Sequence, residues 1–319
     1  MFKTYIVTDD INAEKARQVL DGYSEVKYYP SSKEDEIIKN CSDADAIISL
    51  YEPITAEVMD AIPNLKFISI ESIGFNTVDV KHAKTKGIRV SNNPNYCVEE
   101  VSDHTAALIL TLARKLFSYN KSVQEHKMWK YDAAGQDIYR LSSRTIGLVG
   151  FGSISRKVAQ RLKAFGCSIM AYDPFISQDI GDKYGVDMVQ IDEILDKCDV
   201  ISTHMPLNSN TANFFNWDVF VRMKKKPIFI NCARGGVVDE QALLDALDAG
   251  LISAAGLDVL ESETPDLENC GFLGRENVIL TPHAAFYSQQ SMEEAQTLTV
   301  MHVKYFITGQ YDKIPLVVK

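Results

Sequence analysis

A glycine-rich turn between two regular segments restricts the fold of this chain more than any other feature. Residues 145 to 149 read TIGLV, an apolar run typical of a buried strand, and Gly150 and Gly152 follow at once. After the turn, Val158 and Leu162 stand four residues apart, on what would be one face of a helix. A strand, a tight glycine turn and a helix in this order predict a βα unit of a parallel sheet, with a phosphate-binding helix N-terminus.

The same alternation of strand and helix extends over most of the 319 residues. Short β-rich runs such as YIVTDD, ADAIISLY and LKFISIES are separated by amphipathic stretches, and the pattern restarts at the glycine turn. Such alternation is typical of α/β folds with parallel sheets, and this length predicts about two domains. Asn92, Asn93 and Pro94 interrupt the first series, and a long helical run then keeps its apolar spacing from Val98 to Leu116.

Charge and cysteine content disfavour several classes of partner. Lys and Arg total 33 against 43 Asp and Glu, a net charge of −10, which disfavours binding to nucleic acid. The first residues, MFKTYIVTDD, carry no secretion signal, and no run of 18 apolar residues occurs, so we expect a cytoplasmic protein with no membrane partner. The six cysteines form no paired spacing, so neither a metal site nor a disulfide framework is expected.

Asp173 makes the glycine turn more specific. It ends the next predicted strand, 21 residues after Gly152, where a carboxylate can accept hydrogen bonds from an adenosine ribose and repel a 2′-phosphate. NAD is therefore favoured over NADP as the cofactor. Two features weaken the motif: Ser155 stands at the third glycine position, and the pair formed by Asp173 and Pro174 is also a common turn.

Three later segments carry the residue types that hydride exchange at a carbinol carbon needs. NCARGG, LESETP and TPHAAF each follow a predicted strand, at the sheet edge where open α/β folds bind ligands, and contain Arg234, Glu263 and His283. A histidine can exchange the hydroxyl proton near neutral pH, a carboxylate favours the protonated histidine, and an arginine can hold a substrate carboxylate through two hydrogen bonds. Taken separately, each residue also fits an ordinary loop or turn.

Together, these motifs resemble those of a known family. SIGFNTVD, NPNYCVEEVSDHTAALIL, GLVGFGSIS, HMPLNSNT, NCARGGVVDE, GLDVLESETP and TPHAAFYS are similar, in this order, to segments of the D-isomer-specific 2-hydroxyacid dehydrogenases. That family includes D-lactate, glycerate/hydroxypyruvate and phosphoglycerate dehydrogenases and the C-terminal-binding-protein co-repressors. The resemblance implies two doubly wound parallel-sheet domains, with a Rossmann NAD-binding domain (98–288) inserted into a flavodoxin-like substrate domain (1–97), to which a C-terminal helix (289–319) returns.

The resemblance also implies roles for individual residues. His283 would be the general acid/base, Glu263 its partner and Arg234 the clamp on the substrate. The substrate would contact Ile73, Gly74, Tyr96, Arg234 and His283. NAD would contact Gly150, Gly152, Ser153, Ile154, Asp173, Met205, Pro206, Thr211, Cys232, Ala233, Arg234, Asp258 and His283. Besides Ser155, one further departure from the family pattern is Thr264, which interrupts the usual Glu-Pro and leaves the orientation of Glu263 open.

The function implied is NAD-dependent interconversion of a 2-keto acid and a D-2-hydroxy acid; the alternative is an NAD-sensing scaffold of the co-repressor type. Glu263 argues against formate, and residues 69 to 78 contain no Lys or Arg for a phosphate, so an uncharged substrate tail is favoured. Pyruvate, longer or aromatic 2-keto acids, hydroxypyruvate and glyoxylate stay open. The aromatic residues Tyr51, Tyr96, Phe286 and Tyr287 could line a side-chain pocket or simply pack. Family members dimerise through the helix that would start near Val98, so a homodimer is expected.

Overall fold

The computed structural model describes residues 1 to 135 and 137 to 319, which form two compact units. Unit 1 comprises Met1–Tyr96 and Ser288–Lys319, and unit 2 comprises Cys97–Tyr287. Each unit contains one sheet in which nearly all neighbouring strands are parallel, so the predicted α/β class with two parallel sheets is confirmed. No helix in the described part of the chain combines the length and the apolar composition that crossing a bilayer requires.

Unit 1 starts with an alternating series of strands and helices and ends with one long helix and a short strand. Its elements are β1 (Phe2–Ile6), α1 (Ala13–Leu20), β2 (Ser24–Tyr28), α2 (Glu34–Asn40), β3 (Ala46–Ser49), α3 (Ala56–Ala61), β4 (Phe67–Ile70), α4 (Val80–Lys86) and β5 (Arg89–Ser91). The second segment of unit 1 contributes α12 (Gln289–Ile307), a 3-10 turn (Tyr311–Lys313) and β13 (Leu316–Val318).

The sheet of unit 1 has the strand order β13-β5-β4-β3-β1-β2, a doubly wound arrangement with an antiparallel strand added at one edge. Apolar side chains cover both faces, as buried parallel strands require. Ile47 and Ile68 pack toward α2 and α3, whereas Ile48 and Phe67 pack with Val300 of α12. Because β1, β3 and β4 are neighbouring parallel strands, the loops at their carboxyl ends lie side by side.

Unit 2 begins with two helices and continues as a second strand–helix series. Its elements are α5 (Val98–Ala113), α6 (Leu116–Gln124), β6 (Thr145–Val149), α7 (Ser153–Lys163), β7 (Ser168–Tyr172), α8 (Gln178–Tyr184), β8 (Asp187–Met188), α9 (Ile191–Lys197), β9 (Val200–Thr203), α10 (Trp217–Phe220), β10 (Ile228–Asn231), α11 (Glu240–Asp248), β11 (Ala254–Leu257) and β12 (Val278–Leu280). Short 3-10 turns stand at Leu141–Ser143 and Gly235–Val237.

The seven strands of unit 2 are all parallel, in the order β12-β11-β10-β9-β6-β7-β8. The chain reverses its direction of winding between β6 and β9, and in sheets of this kind ligands bind outside the carboxyl ends of the strands at that point. The glycine turn follows β6 directly. The loops after β10, β11 and β12 are neighbours along the same edge, because those three strands pair in sequence order.

The predicted long helix from Val98 to Leu116 is wrong at its C-terminal end. The helix stops at Ala113, Lys115 adopts a left-handed conformation with φ of 50°, and Leu116 opens a separate helix. The Lys115 ammonium donates to the carbonyl oxygen of Ala134 at 3.0 Å and pairs with Asp137, so a later segment contacts the chain at the break. The apolar stripe of α5 packs inside unit 2, against α7, β10 and β11.

Candidate active site

The glycine turn has the geometry that a phosphate-binding loop needs. Gly150 has φ of 91°, and a Cβ there would lie 2.8 Å from the carbonyl oxygen of His204, so only glycine fits. At Gly152, by contrast, a Cβ would meet nothing within 4 Å. Gly152 is the N-cap of α7, and no side chain caps this end of the helix. The first N–H groups of α7 therefore have no side-chain cap among the described residues, and there is room beside Gly152, which together fit an anionic group.

Asp173 lies beside this turn, one residue beyond the end of β7. Its Oδ2 accepts a hydrogen bond from the N–H of Phe151 at 2.9 Å, and its Oδ1 accepts one from the N–H of Phe175 at 2.9 Å. A carboxylate has about four acceptor positions, so two stay available for ribose hydroxyls. Asp173 also lines a cavity of about 340 Å³ together with Ile176 and Val189. These features fit the nucleoside half of NAD.

Ser155, at the third glycine position, does not interrupt the helix. It lies inside α7, wholly buried, and its hydroxyl has no hydrogen-bond partner among the described residues. The strand–turn–helix geometry therefore forms with a serine at this position.

His283 and Glu263 form the ion pair expected of an acid/base couple. The Nδ1 of His283 lies 2.7 Å from Oε2 of Glu263, and this hydrogen bond holds the pKa of the Glu263 carboxyl below its usual range. The orientation of Glu263 toward the histidine is thus achieved despite Thr264. The imidazole is about one-quarter exposed and lies edge-on to the ring of Phe286, at a centroid distance of 5.9 Å. Its second nitrogen, Nε2, is left for a substrate.

Arg234 lies on the neighbouring loop, after β10. The side-chain amide of Asn231 holds this loop, because it donates to the Arg234 carbonyl oxygen at 3.0 Å and accepts from the N–H of Ala233 at 3.0 Å. The positive charge of Arg234 contributes to the lowered pKa of Glu263, so it acts on the same pair. At Gly235 a Cβ would come within 1.9 Å of the Leu260 carbonyl oxygen, which shows how closely the two loops pack.

A buried hydrogen-bond network around Asp258, next to His283 in the structure, was not predicted from the sequence. The carboxylate of Asp258 is only 1% exposed and accepts from the hydroxyl of Thr281 at 2.5 Å and from the N–H groups of Ala284 and Ala285 at 2.9 and 3.0 Å. The Nε2 of His104, on α5, lies 3.0 Å from the Thr281 hydroxyl. The contact of Asp258 with NAD stays a prediction. His104 and Thr281 are the two side chains of this network that the sequence shows besides Asp258.

The remaining predicted NAD contacts of unit 2 lie on loops along the same sheet edge. After β9, the hydroxyl of Thr211 donates to the Pro206 carbonyl oxygen at 2.6 Å and closes the turn that follows Met205. Burial lowers the pKa of His204 to about 4, so this second histidine is neutral and is not a proton donor at neutral pH. Burial also raises the pKa of the Cys232 thiol to about 12, which excludes it as a nucleophile.

The predicted substrate residues Ile73, Gly74 and Tyr96 belong to unit 1. Ile73 and Gly74 lie in the loop after β4, where the Asn92 amide donates to the Ile73 carbonyl oxygen at 2.7 Å and the Ser72 hydroxyl donates to the Gly74 carbonyl oxygen at 2.6 Å. Neither main-chain N–H of this pair has an acceptor among the described residues. Tyr96 is buried at the end of the first segment of unit 1. Their contact with a substrate stays a prediction.

No group of three or more His, Cys, Asp or Glu side chains in the described ranges is arranged to hold a metal ion. The candidate site is thus a nucleotide-binding turn, an acidic residue at the ribose position, and an imidazole–carboxylate pair with an arginine beside it.

Comparisons with known proteins identify the family to which this chain belongs. Residues 106–285 match the model of the D-isomer specific 2-hydroxyacid dehydrogenase NAD binding domain. A glyoxylate reductase of Korarchaeum cryptofilum is 37% identical over 88% of this chain and 85% of its own length. A D-3-phosphoglycerate dehydrogenase of Methanocaldococcus jannaschii is 33% identical over 96% of this chain, which spans only 57% of that relative's length.

A solved D-lactate dehydrogenase of Aquifex aeolicus, complexed with NAD and lactic acid, has the same fold. Its TM-score is 0.88 at 31% identity, with 99% of each chain covered. The matching domain model spans more than half of this chain and includes the glycine turn, Arg234, Glu263 and His283. The chain therefore belongs to the D-isomer specific 2-hydroxyacid dehydrogenase family, and NAD is its cofactor.

Proposed function

We propose that this protein reduces a 2-keto acid to a D-2-hydroxy acid and catalyses the reverse oxidation, with His283 as acid/base, Glu263 as its partner and Arg234 as the substrate clamp. The observation that carries the proposal is the 2.7 Å contact between Nδ1 of His283 and Oε2 of Glu263, with the Arg234 charge acting on the same carboxylate. A histidine held in this way keeps Nε2 as its exchanging nitrogen.

Each side chain then has a separate chemical task. NAD, when bound, supplies the hydride donor or acceptor. His283, protonated at Nε2, donates a proton to the oxygen of the keto group during reduction and takes it back during oxidation. Glu263 stabilises the imidazolium, and Arg234 stabilises the negative charge that develops on that oxygen while it holds the substrate carboxylate.

The substrate we propose has an uncharged tail. The loop after β4 carries no Lys or Arg that could bind a phosphate. Relatives named glyoxylate reductase, D-lactate dehydrogenase and D-3-phosphoglycerate dehydrogenase are all similar to this chain, so the choice rests on the composition of this loop and not on the relatives.

The test is a kinetic screen of 2-keto acids with NADH, with His283→Ala measured in parallel. We expect turnover of at least one small uncharged 2-keto acid and a loss in kcat of about 10²- to 10⁴-fold in the variant, the usual contribution of a general acid. NADH binding, followed by fluorescence, should be nearly unchanged. Tight NADH binding without turnover of any 2-keto acid would favour the NAD-sensing scaffold. Full activity of His283→Ala would refute the assignment of the acid.

We further propose that the protein is a homodimer and that α6 with the segment after it contributes the interface. The apolar stripe of α5 is used within unit 2, but α6 has no buried residue, and Trp129 and Tyr131 are 89% and 92% exposed. Exposed large aromatic side chains of this kind are typical of protein interfaces. Replacing Trp129 and Tyr131 by Ala should yield a monomer in analytical ultracentrifugation, whereas Phe175→Ala, at an equally exposed aromatic, should leave the dimer intact.

A further inference from the structure

The backbone at His283 is held in an uncommon conformation. Its φ is 49°, in the left-handed region that only a few per cent of non-glycine residues adopt, mostly Asn, Asp and His. The His283 N–H donates to the Asp258 carbonyl oxygen at 2.7 Å and to the Thr281 carbonyl oxygen at 3.0 Å. The direction of the imidazole therefore depends on how firmly Asp258 and Thr281 are fixed, and a displacement of about 1 Å can cost about 10²-fold in rate.

Asp258 fixes the loop from the other side. Its carboxylate collects the N–H groups of Ala284 and Ala285, the two residues after His283, and the hydroxyl of Thr281. A carboxylate that is 99% buried needs all these donors, because a buried charge is stable only when it is hydrogen-bonded. The orientation of the Thr281 hydroxyl is therefore critical to the loop.

His104 completes the hydrogen bonding of that hydroxyl. The Thr281 hydroxyl has a single proton, which it gives to Asp258 at 2.5 Å, so it can only accept from the His104 Nε2 at 3.0 Å. Nε2 of His104 is thus the protonated nitrogen of this contact, and it also lies 3.6 Å from the Asp258 carboxylate. His104 stands on α5, whose buried face packs against β10 and β11. A rigid helix thereby fixes the loop that follows β12.

We propose that His104 is a positioning residue for catalysis: through Thr281 and Asp258 it holds the loop that aims His283. This inference rests on the proposed role of His283. In the hydrogen bonds described, His104 touches neither the catalytic pair nor the glycine turn, so its effect should be larger on kcat than on binding.

The experiment is a double-mutant cycle with a rescue variant. His104→Phe removes the donor but keeps a ring, Thr281→Val removes the hydroxyl, and His104→Gln keeps an N–H near the position of Nε2. Each protein is assayed for kcat, for KM of the best 2-keto acid and for the Kd of NADH, with wild type and His283→Ala as references. Circular dichroism checks that each variant is folded.

We expect His104→Phe and Thr281→Val each to lower kcat about tenfold, with KM and the Kd of NADH within about threefold of wild type. The double variant should be no slower than Thr281→Val alone, and His104→Gln should recover most of kcat. Effects that multiply in the double variant, or a His104→Gln as slow as His104→Phe, would overturn the proposal. If His104→Phe does not fold, the kcat of His104→Gln is compared with that of Thr281→Val. A clearly faster His104→Gln supports the proposal, and an equally slow one overturns it. An active His283→Ala would instead overturn the proposed function.

Discussion

Replacing Glu71 by Gln should stabilise unit 1, and the gain should grow with pH. Glu71 directly follows β4 and is 2% exposed, and neither of its carboxylate oxygens has a hydrogen-bond partner among the described residues. Burial, together with the negative charges of Asp10 and Glu52, raises the pKa of Glu71 from 4.5 to about 8. The folded protein therefore holds a proton that the unfolded chain gives up.

The size of the effect follows from the two pKa values. Between pH 4.5 and pH 8 the unfolded chain is ionised at this residue and the folded chain is not, so stability falls by about 1.4 kcal/mol for each pH unit in that window. The penalty is about 1 kcal/mol at pH 5 and about 3 kcal/mol at pH 7. Gln cannot ionise and has nearly the same shape as Glu. The stability of the variant relative to wild type should therefore rise by about 2 kcal/mol from pH 5 to pH 7.

Hydrogen exchange of the β4 amides, measured by mass spectrometry, would report the free energy of opening of unit 1 in both proteins. Both tryptophans, Trp129 and Trp217, lie in unit 2, so urea unfolding followed by tryptophan fluorescence gives an internal control that should not change. Glu294→Gln, at an exposed position of α12 in the same unit, is the matched control variant. A stability difference between Glu71→Gln and wild type that is the same at pH 5 and pH 7 would refute the reasoning.

Other predictions concern the site in unit 2. Glu263→Gln should lower kcat of keto acid reduction, because the imidazole loses the carboxylate that accepts from its Nδ1; an unchanged kcat would remove Glu263 from the pair. Gly150→Ala should cost more than about 2 kcal/mol in thermal unfolding, since a Cβ meets backbone there, whereas Gly152→Ala should keep the melting temperature but weaken NADH binding at least about tenfold. Ser155→Ala should raise the free energy of unfolding by about 1 kcal/mol with the Kd of NADH unchanged, because it removes an unpartnered buried hydroxyl; a lower melting temperature would contradict this.

The sequence predicted the fold class well because its signals are local. A glycine between an apolar run and an amphipathic run can be recognised within a few residues of sequence, as at Gly150. The end of α5 was missed because its cause is not local. The apolar spacing continues to Leu116, but Lys115 adopts a left-handed conformation, and its side chain contacts Ala134 and Asp137, about 20 residues away. Tertiary contacts of this kind override helical periodicity.

The order of the strands explains why the three proposed catalytic residues come together. Arg234, Glu263 and His283 are spread over 50 residues, yet each follows one of three strands that pair side by side, β10, β11 and β12. Sequential strands often neighbour one another, so three carboxyl-end loops were expected to meet. The local sequence around Thr264 does not show where Glu263 points. The structure gives this orientation, because Oε2 of Glu263 lies 2.7 Å from Nδ1 of His283.

The groups that hold the loop of His283 in place are hard to recognise in the sequence, for a physical reason. Most of the donors that fix Asp258 are main-chain N–H groups, at Ala284 and Ala285, which every residue except proline can provide. An alanine therefore carries no sign that its backbone binds a buried carboxylate. Only the two side chains, Thr281 and His104, can be recognised by type, and they stand 177 residues apart. A site whose precision depends on backbone donors must be found from geometry, and its test must alter the few side chains that complete it.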